Sequence, residues 1–300
     1  MTTIVASRLS SIAWPWLDRR GRFSALKAMV LAALVAPGVV LAVQWASGAL
    51  MPRPLNAVIH GTGLWAVRFL LLSLALTPLR QGFGYAGLVL IRRMVGVGAF
   101  AYVAAHFLLY VGDQGFDLFA VGREIVLRFY LTIGFVALLG LAALAATSTD
   151  GMVKRLGATR WRRLHRLVYG ISVLALVHFF LQAKADPGEA TMAAGIYFWA
   201  MARRRWSGGG IAWLAVMPLL AAIGAALAEA ALFLALRGID PLRVLATDLD
   251  FSFGPRPAPV AGLIVLAVEV AGFALRRYRA AGRAAGAPRP GLSRRAESGS

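Results

Sequence analysis

Only four histidines occur in this 300-residue chain, His60, His106, His165 and His178, and all four fall within or at the ends of long apolar runs. An ionisable side chain in such a run is rare and marks a functional site by default. His165 and His178 share one run and stand thirteen residues apart, a rise of about 20 Å at 1.5 Å per residue. The same interval turns a helix by roughly 220° beyond whole turns, so the two rings do not share a face. His106 lies near the far end of a different run, at a depth similar to His178. Two imidazoles facing each other across a helix bundle can hold one heme iron from both sides. Six-coordination leaves no open position, which suits electron transfer rather than oxygen activation. His165, at the opposite membrane face, is placed as a ligand of a second heme or as an entry-side residue. Thirteen and fourteen residues before His106, however, stand Arg93 and Arg92, so a second bis-histidine pair has no partner on that helix. His60 is on the outer side and reads as an alternative ligand or a hydrogen-bonding group near the outer heme.

Charged residues inside spans add to this set. Arg68 needs an anion, for which a heme propionate or a carboxylate such as Glu229 would serve. Glu229 and Glu269 are intramembrane acids, read either as satisfied against polar neighbours or as part of a proton path or quinone site. Arg80, Arg92 and Arg93 cluster at one face, where they anchor the chain or hold a flavin phosphate. Trp161, in a basic stretch, is a belt tryptophan or a flavin-stacking group.

The elements that must position these residues are membrane helices. The chain is 59% hydrophobic, with a mean hydropathy of +0.71, above the roughly 45–50% of soluble domains. Apolar runs at 26–45, 61–79, 88–111, 125–146, 165–181, 211–236 and 259–275 read as spans, with a short, weak sixth at 191–202. The fold class is therefore all-α: a polytopic membrane helix bundle of six spans followed by two more. A basic stretch with Arg19, Arg20, Arg22 and Lys27 leads into the first run, which is long enough to be an uncleaved anchor. If eight spans are counted, Arg80, Lys154, Arg155, Arg160, Arg162, Arg163, Arg203 to Arg205 and Arg276, Arg277 and Arg279 all fall on one side. Asp113, Asp117, Asp186, Glu189, Asp240, Asp248 and Asp250 fall on the other, with Arg53 and Lys184. The positive-inside rule then puts both termini in the cytoplasm. The expected organisation is a cytoplasmic segment (1–25), a heme-binding domain (26–205), a two-span extension (206–276) and a disordered basic cytoplasmic tail (277–300).

Several functions are disfavoured. A net charge of +19 in a soluble chain would suggest nucleic acid, but these cations flank spans and suit anionic lipid. No cysteine is present, which removes thiolate metal sites, cysteine-held iron–sulfur clusters and a cysteine nucleophile. Gly82, Gly84 and Gly87 form a GxGxxG string, but it joins two spans instead of following a strand, so it reads as a turn and not a dinucleotide site. With no soluble nucleotide domain, electrons must arrive from a quinol or from a separate flavin-reducing partner. No Ser–His–Asp arrangement is seen.

Four stretches carry a resemblance: HGTGLWAVRFLLLSLALTPLR from His60, IRRMVGVGAFAYVAAHFLLY ending at Tyr110, RFYLTIGFVALLGLAALAATST ending at Thr149, and RLGATRWRRLHRLVYGISVLALVHFFL from Arg155. Over about 25–205 the chain resembles the MsrQ (YedZ) family, heme-binding membrane subunits of the periplasmic methionine sulfoxide reductase system, within the ferric-reductase-like transmembrane group. The resemblance implies heme b at the positions matching His106 and His178, with His165 also implicated. It implies an FMN or quinone site toward the cytoplasm, a location in the bacterial inner membrane, and a periplasmic molybdopterin reductase partner, MsrP. The chain departs from the family after about Arg205, and the pattern does not explain Glu229 and Glu269. Alternatives are a ferric or cupric chelate reductase using the same heme, and a heme-free transporter or assembly factor.

Overall fold

A computed structural model describes residues 14–285 apart from 19, 184, 185, 207, 209, 251 and 253. Arg19, Lys184 and most of the expected basic tail (286–300) lie outside the described residues. Helices follow one another as α1 (Ala25–Ala46), α2 (Pro54–Phe83), α3 (Leu88–Asp113), α4 (Leu118–Leu127), α5 (Phe129–Ala146), α6 (Asp150–Leu156), α7 (Ala158–His165), α8 (Leu167–Ala183), α9 (Gly188–Arg205), α10 (Trp213–Arg237), α11 (Pro241–Asp248) and α12 (Pro257–Ala285).

Local chemistry explains the boundaries. Ser24 caps α1 by accepting from the Lys27 N–H, and Pro54 opens α2, where a missing N–H costs nothing. The end of α2 is set by Gly84, at φ 62° in the left-handed region, which glycine enters without a Cβ clash. The GxGxxG string is thus the turn between α2 and α3. Asp117 caps α4 by accepting from Phe119 and Ala120. Arg128, extended at φ −108° and ψ 101°, breaks the chain between α4 and α5.

Among the described residues, seven elements are long and apolar enough to cross a membrane: α1, α2, α3, α5, the α7–α8 pair, α10 and α12. The fold is the expected polytopic helical bundle, with α9 as the exception among the eight expected spans. Glu189 and Arg203, Arg204 and Arg205 at its ends, with a small-residue middle, keep α9 below the apolarity of a lipid-facing helix. Its 18 residues still reach about 27 Å. One end lies by α12, where a Cβ on Gly188 would meet Pro257 Cγ at 3.2 Å. At the other end Arg204 reaches the Leu74 carbonyl. Other boundaries move too. The expected fourth span is two helices, the ten-residue α4 and α5, which alone of the two is long enough to span, and the fifth begins earlier, at Ala158. The last helix continues past Arg276 to Ala285.

Cross-links between loops sort the ends of the bundle into two faces. Arg93 Nη1 lies 2.6 Å from Asp150 Oδ1. Arg276 and Arg279 donate to the Gly82 and Phe83 carbonyls at 2.8 and 2.7 Å, capping the C-terminus of α2. These mark a basic face. Arg68 with Glu189 and Thr191 with Glu229 lie toward the opposite face.

The bundle has two halves that share α2, whose spanning window is 56% buried against 11% for α1. In one half, α1, α2, α3, α5 and α8 pack around Leu34, Phe69, Leu70, Ala99, Leu141 and Ile171. In the other, α2, α9, α10 and α12 pack around Leu74, Trp199, Met217, Ala221 and Val265. Small residues let these last helices approach closely: a Cβ on Gly195 would stand 2.7 Å from Ala261 Cβ and 3.0 Å from the Ala221 carbonyl oxygen.

Candidate functional site

His106 on α3 and His178 on α8 face one another, with ring centroids 6.4 Å apart and planes inclined at 77°. Each ring is fixed by a backbone carbonyl. His106 Nδ1 is 2.8 Å from the Ile59 oxygen of α2, and His178 Nδ1 is 2.8 Å from the Tyr130 oxygen at the start of α5. A carbonyl only accepts, so the proton sits on Nδ1 and the Nε2 lone pair is free to bind a metal. This is the outer support that orients metal-ligating histidines.

Two glycines make the room. A Cβ on Gly63 would lie 3.0 Å from His106 Nδ1, and one on Gly134 2.7 Å from His178 Nδ1. Each imidazole therefore presses against a bare stretch of the neighbouring helix. Phe107 and Phe135, the residues after His106 and Gly134, pair at 5.7 Å and form an apolar flank. The spacing can be tested against a metal held from both sides. Metal–imidazole bonds of about 2.0–2.1 Å, with the ring radius added on either side, put two centroids about 6 Å apart, so the pair fits a six-coordinate heme.

His165 lies toward the basic face, at the α7–α8 junction. Its Nδ1 is 3.2 Å from the Trp161 carbonyl and its Nε2 3.3 Å from Ser148 Oγ. Trp161 stacks on it at 3.9 Å and 25° and donates through Nε1 to the Thr147 carbonyl at 2.9 Å. Both nitrogens have protein neighbours, and no second imidazole faces this ring among the described residues. His60 is exposed and directly follows Ile59, whose carbonyl holds His106.

The other candidates are dispersed. Arg68 pairs with Glu189 at 3.0 Å, both half exposed, and its guanidinium lies over Trp65. Its partner is thus not Glu229, which instead accepts from Thr191 Oγ1 at 2.9 Å. Glu229 sits on α10, where Thr191 reaches it from α9, while Arg68, midway along α2, reaches the first turn of α9. Arg80 and Arg92 are exposed at the basic face, and Arg93 pairs with Asp150. Glu269 accepts from Trp199 Nε1 at 2.9 Å and meets Arg203. The supporting glycines, the two carbonyls and Arg204 were not found from sequence. Arg204 donates to the Ala200 carbonyl at 2.8 Å and stacks on Tyr169. The HGTG string holds Gly63, but a glycine in an apolar run carries no sign of what it faces.

Fold and site together define a polytopic helical membrane protein of the ferric-reductase-like class. The family model described as ferric reductase like transmembrane component matches residues 62–176, a segment that includes His106 and His165 and stops two residues before His178. Relatives named protein-methionine-sulfoxide reductase heme-binding subunit MsrQ make the assignment narrower. That of Rhodospirillum rubrum is 46% identical over 180 residues, covering 60% of this chain and 84% of the relative. That of Xanthomonas oryzae pv. oryzae is 43% identical over 188 residues, covering 60% and 85%. The chain belongs to the MsrQ family. No solved structure matches it.

Proposed function

We propose that this chain is the heme b subunit of a methionine sulfoxide reductase system, with His106 and His178 as axial ligands. The observation that carries the reading is the facing imidazole pair, 6.4 Å apart, each with Nδ1 spent on a carbonyl. When bound, heme would supply a one-electron iron centre with no open coordination position. The protein's own residues hold the ring tautomers, exclude water with Phe107 and Phe135, and leave the space. His60 belongs to the outer rim of this site and Arg68 to its periphery.

The chain lies in the bacterial inner membrane with both termini cytoplasmic, as the basic face suggests. Residues 26–205 form the heme domain and 206–276 the added pair of spans. Electrons come from the quinone pool or from reduced flavin, FMN being served by Arg80, Arg92, Arg93 and Trp161 near His165. They leave to a periplasmic molybdopterin reductase, MsrP, that repairs oxidised proteins. The description of the matching family model favours one second reading, a ferric or cupric chelate reductase using the same heme.

The test is a dithionite-reduced minus oxidised spectrum with heme counted per chain, for wild type, His106→Ala, His178→Ala and His165→Ala. Loss of low-spin heme in the first two variants, with retention in the third, supports one bis-histidine heme. A colourless wild type overturns the reading and leaves a transporter or assembly factor. Reduction of ferric chelates without any sulfoxide reductase present favours the second reading.

A further inference from the structure

Heme carries its polar groups on one edge, as two propionate carboxylates, and a carboxylate taken out of water needs a cation or hydrogen-bond donors. The two directions along the bundle differ in what they offer. Inward, one turn before His106, stands Tyr102, whose hydroxyl is committed to α1: it accepts from the Gly38 N–H at 2.7 Å and donates to the Leu34 carbonyl at 2.8 Å. Inward of Gly134, α5 is apolar to its end. On α8, Ser172 donates back to the Val168 carbonyl at 2.7 Å. Arg68, five residues inward of Gly63, is paired with Glu189 and lies over Trp65.

The outward groups are of another kind. Tyr110 lies one turn, about 6 Å, beyond His106 on the same face of α3. Tyr130, whose carbonyl holds His178, accepts through Oη a hydrogen bond from Arg128 Nη1 at 3.1 Å. Arg128 Nε faces Glu124, one turn back on α4. Tyr110 has Glu124, Arg128, Tyr130 and Asp113 as its charged and polar neighbours. Three helices, α3, α4 and α5, therefore bring one guanidinium and two phenols together on the outer side of the imidazole pair. An ion pair between Arg128 and Glu124 would brace the turn by itself, but it does not account for phenols arriving from α3 and α5.

Arg128 stands there because the chain breaks at it. Its extended backbone puts it at the outer end of α5 instead of inside a continuous helix. A guanidinium carries five N–H donors in a fork that matches a carboxylate, so the contacts with Glu124 and Tyr130 do not exhaust it.

Resting on the heme reading above, we propose that Arg128, with the Tyr130 and Tyr110 hydroxyls, is the anchor for the heme propionates. Arg128 and the phenols donate to the carboxylates, and Glu124 competes for the same guanidinium. The anchor also ties the carboxylates to the segment that orients His178, since Arg128 and Tyr130 are two residues apart.

The experiment titrates full-length apoprotein in detergent with heme and with heme dimethyl ester, whose carboxylates are capped. It follows the low-spin spectrum in wild type, Arg128→Gln, Tyr130→Phe, Glu124→Gln and Arg68→Ala. Wild type is expected to prefer heme to its ester. Arg128→Gln lowers that preference about tenfold, the lower end for a hydrogen bond to a charged group because the guanidinium is half exposed, and leaves ester binding unchanged. Tyr130→Phe lowers it less, and Glu124→Gln raises it by removing the competing carboxylate. Ester binding reports the imidazole pair separately from the anchor. Equal affinity of the wild type for the two forms, an unchanged preference in Arg128→Gln, or transfer of the effect to Arg68→Ala overturns the assignment and leaves the heme reading in place. If Arg128→Gln takes up neither form, Glu124→Gln decides, and a preference that does not rise overturns the assignment. A wild type that takes up neither form sinks the heme reading and the anchor with it.

Discussion

Arg203 Nε and Glu269 Oε1 meet at 3.0 Å with side chains 2% and 4% exposed, deep in the interface between α9 and α12. The Nε–H is not aimed at the carboxylate, so the contact is Coulombic. The carboxylate takes its hydrogen bond from Trp199 at 2.9 Å, and Arg203 Nη1 donates to the Gly208 carbonyl at 2.6 Å. Removing one charge strands the other. Glu269→Leu alone is expected to cost about 3–5 kcal/mol, whereas Arg203→Leu combined with Glu269→Leu recovers most of it. Thermal unfolding of the four corners of this cycle in detergent measures the difference, and equal destabilisation by the single and double variants contradicts it.

Gly134 and Gly63 are expected to be sensitive positions, because each leaves the room that a histidine ring occupies. A methyl at 134 meets the His178 ring at 2.7 Å with the ring held on the other side by Tyr130. Gly134→Ala should lower heme affinity by about 10–100-fold, the scale seen when the support of a metal ligand is removed. Gly63→Ala, with 3.0 Å available, should lose less. Heme titration of the apoprotein checks the order.

Arg68→Ala should do little. Its ion pair with Glu189 has side chains 44% and 48% exposed, and exposed pairs contribute about 0–1 kcal/mol. The spectrum is expected to be unchanged. A shifted heme spectrum would instead place the guanidinium against the cofactor.

Asp248, at the end of α11 outside the spans, is buried, and burial pushes its carboxyl above the ordinary value, with Arg256 partly offsetting this. Its Oδ2 has no hydrogen-bond partner, and Glu229 is the other acid that faces it. A raised folded-state value favours the protonated form. The stabilisation it brings is full below the unfolded value and is lost as pH rises through the folded one. Asp248→Asn should therefore flatten the loss of stability from acid toward neutral pH. An unchanged slope in melting temperature against pH contradicts this.

Much of the architecture was legible because apolar runs and loop charge are one-dimensional signals. His106 and His178 could be paired by depth alone, since rise per residue and span direction suffice. The break at Arg128 was not legible, because Ile125, Val126 and Leu127 are as apolar as the residues after Arg128, so one apolar run reads across both helices. Arg68 illustrates another limit: whether it meets Glu189 or Glu229 depends on the rotation of α9 and α10, which sequence periodicity leaves open in helices apolar all round. The supports of the histidines escaped for a similar reason, as two are carbonyls present at every residue.

The intermediate polarity of α9 has a consequence for biogenesis. A segment with a glutamate in its first turn, three consecutive arginines in its last and a small-residue middle offers lipid less apolar surface than the other spans and partitions into it less readily by itself. Its burial against α10 and α12 supplies what lipid does not. Stable insertion of α9 is therefore expected to depend on the two later helices, which makes the final third of the chain an internal insertion partner for the segment before it.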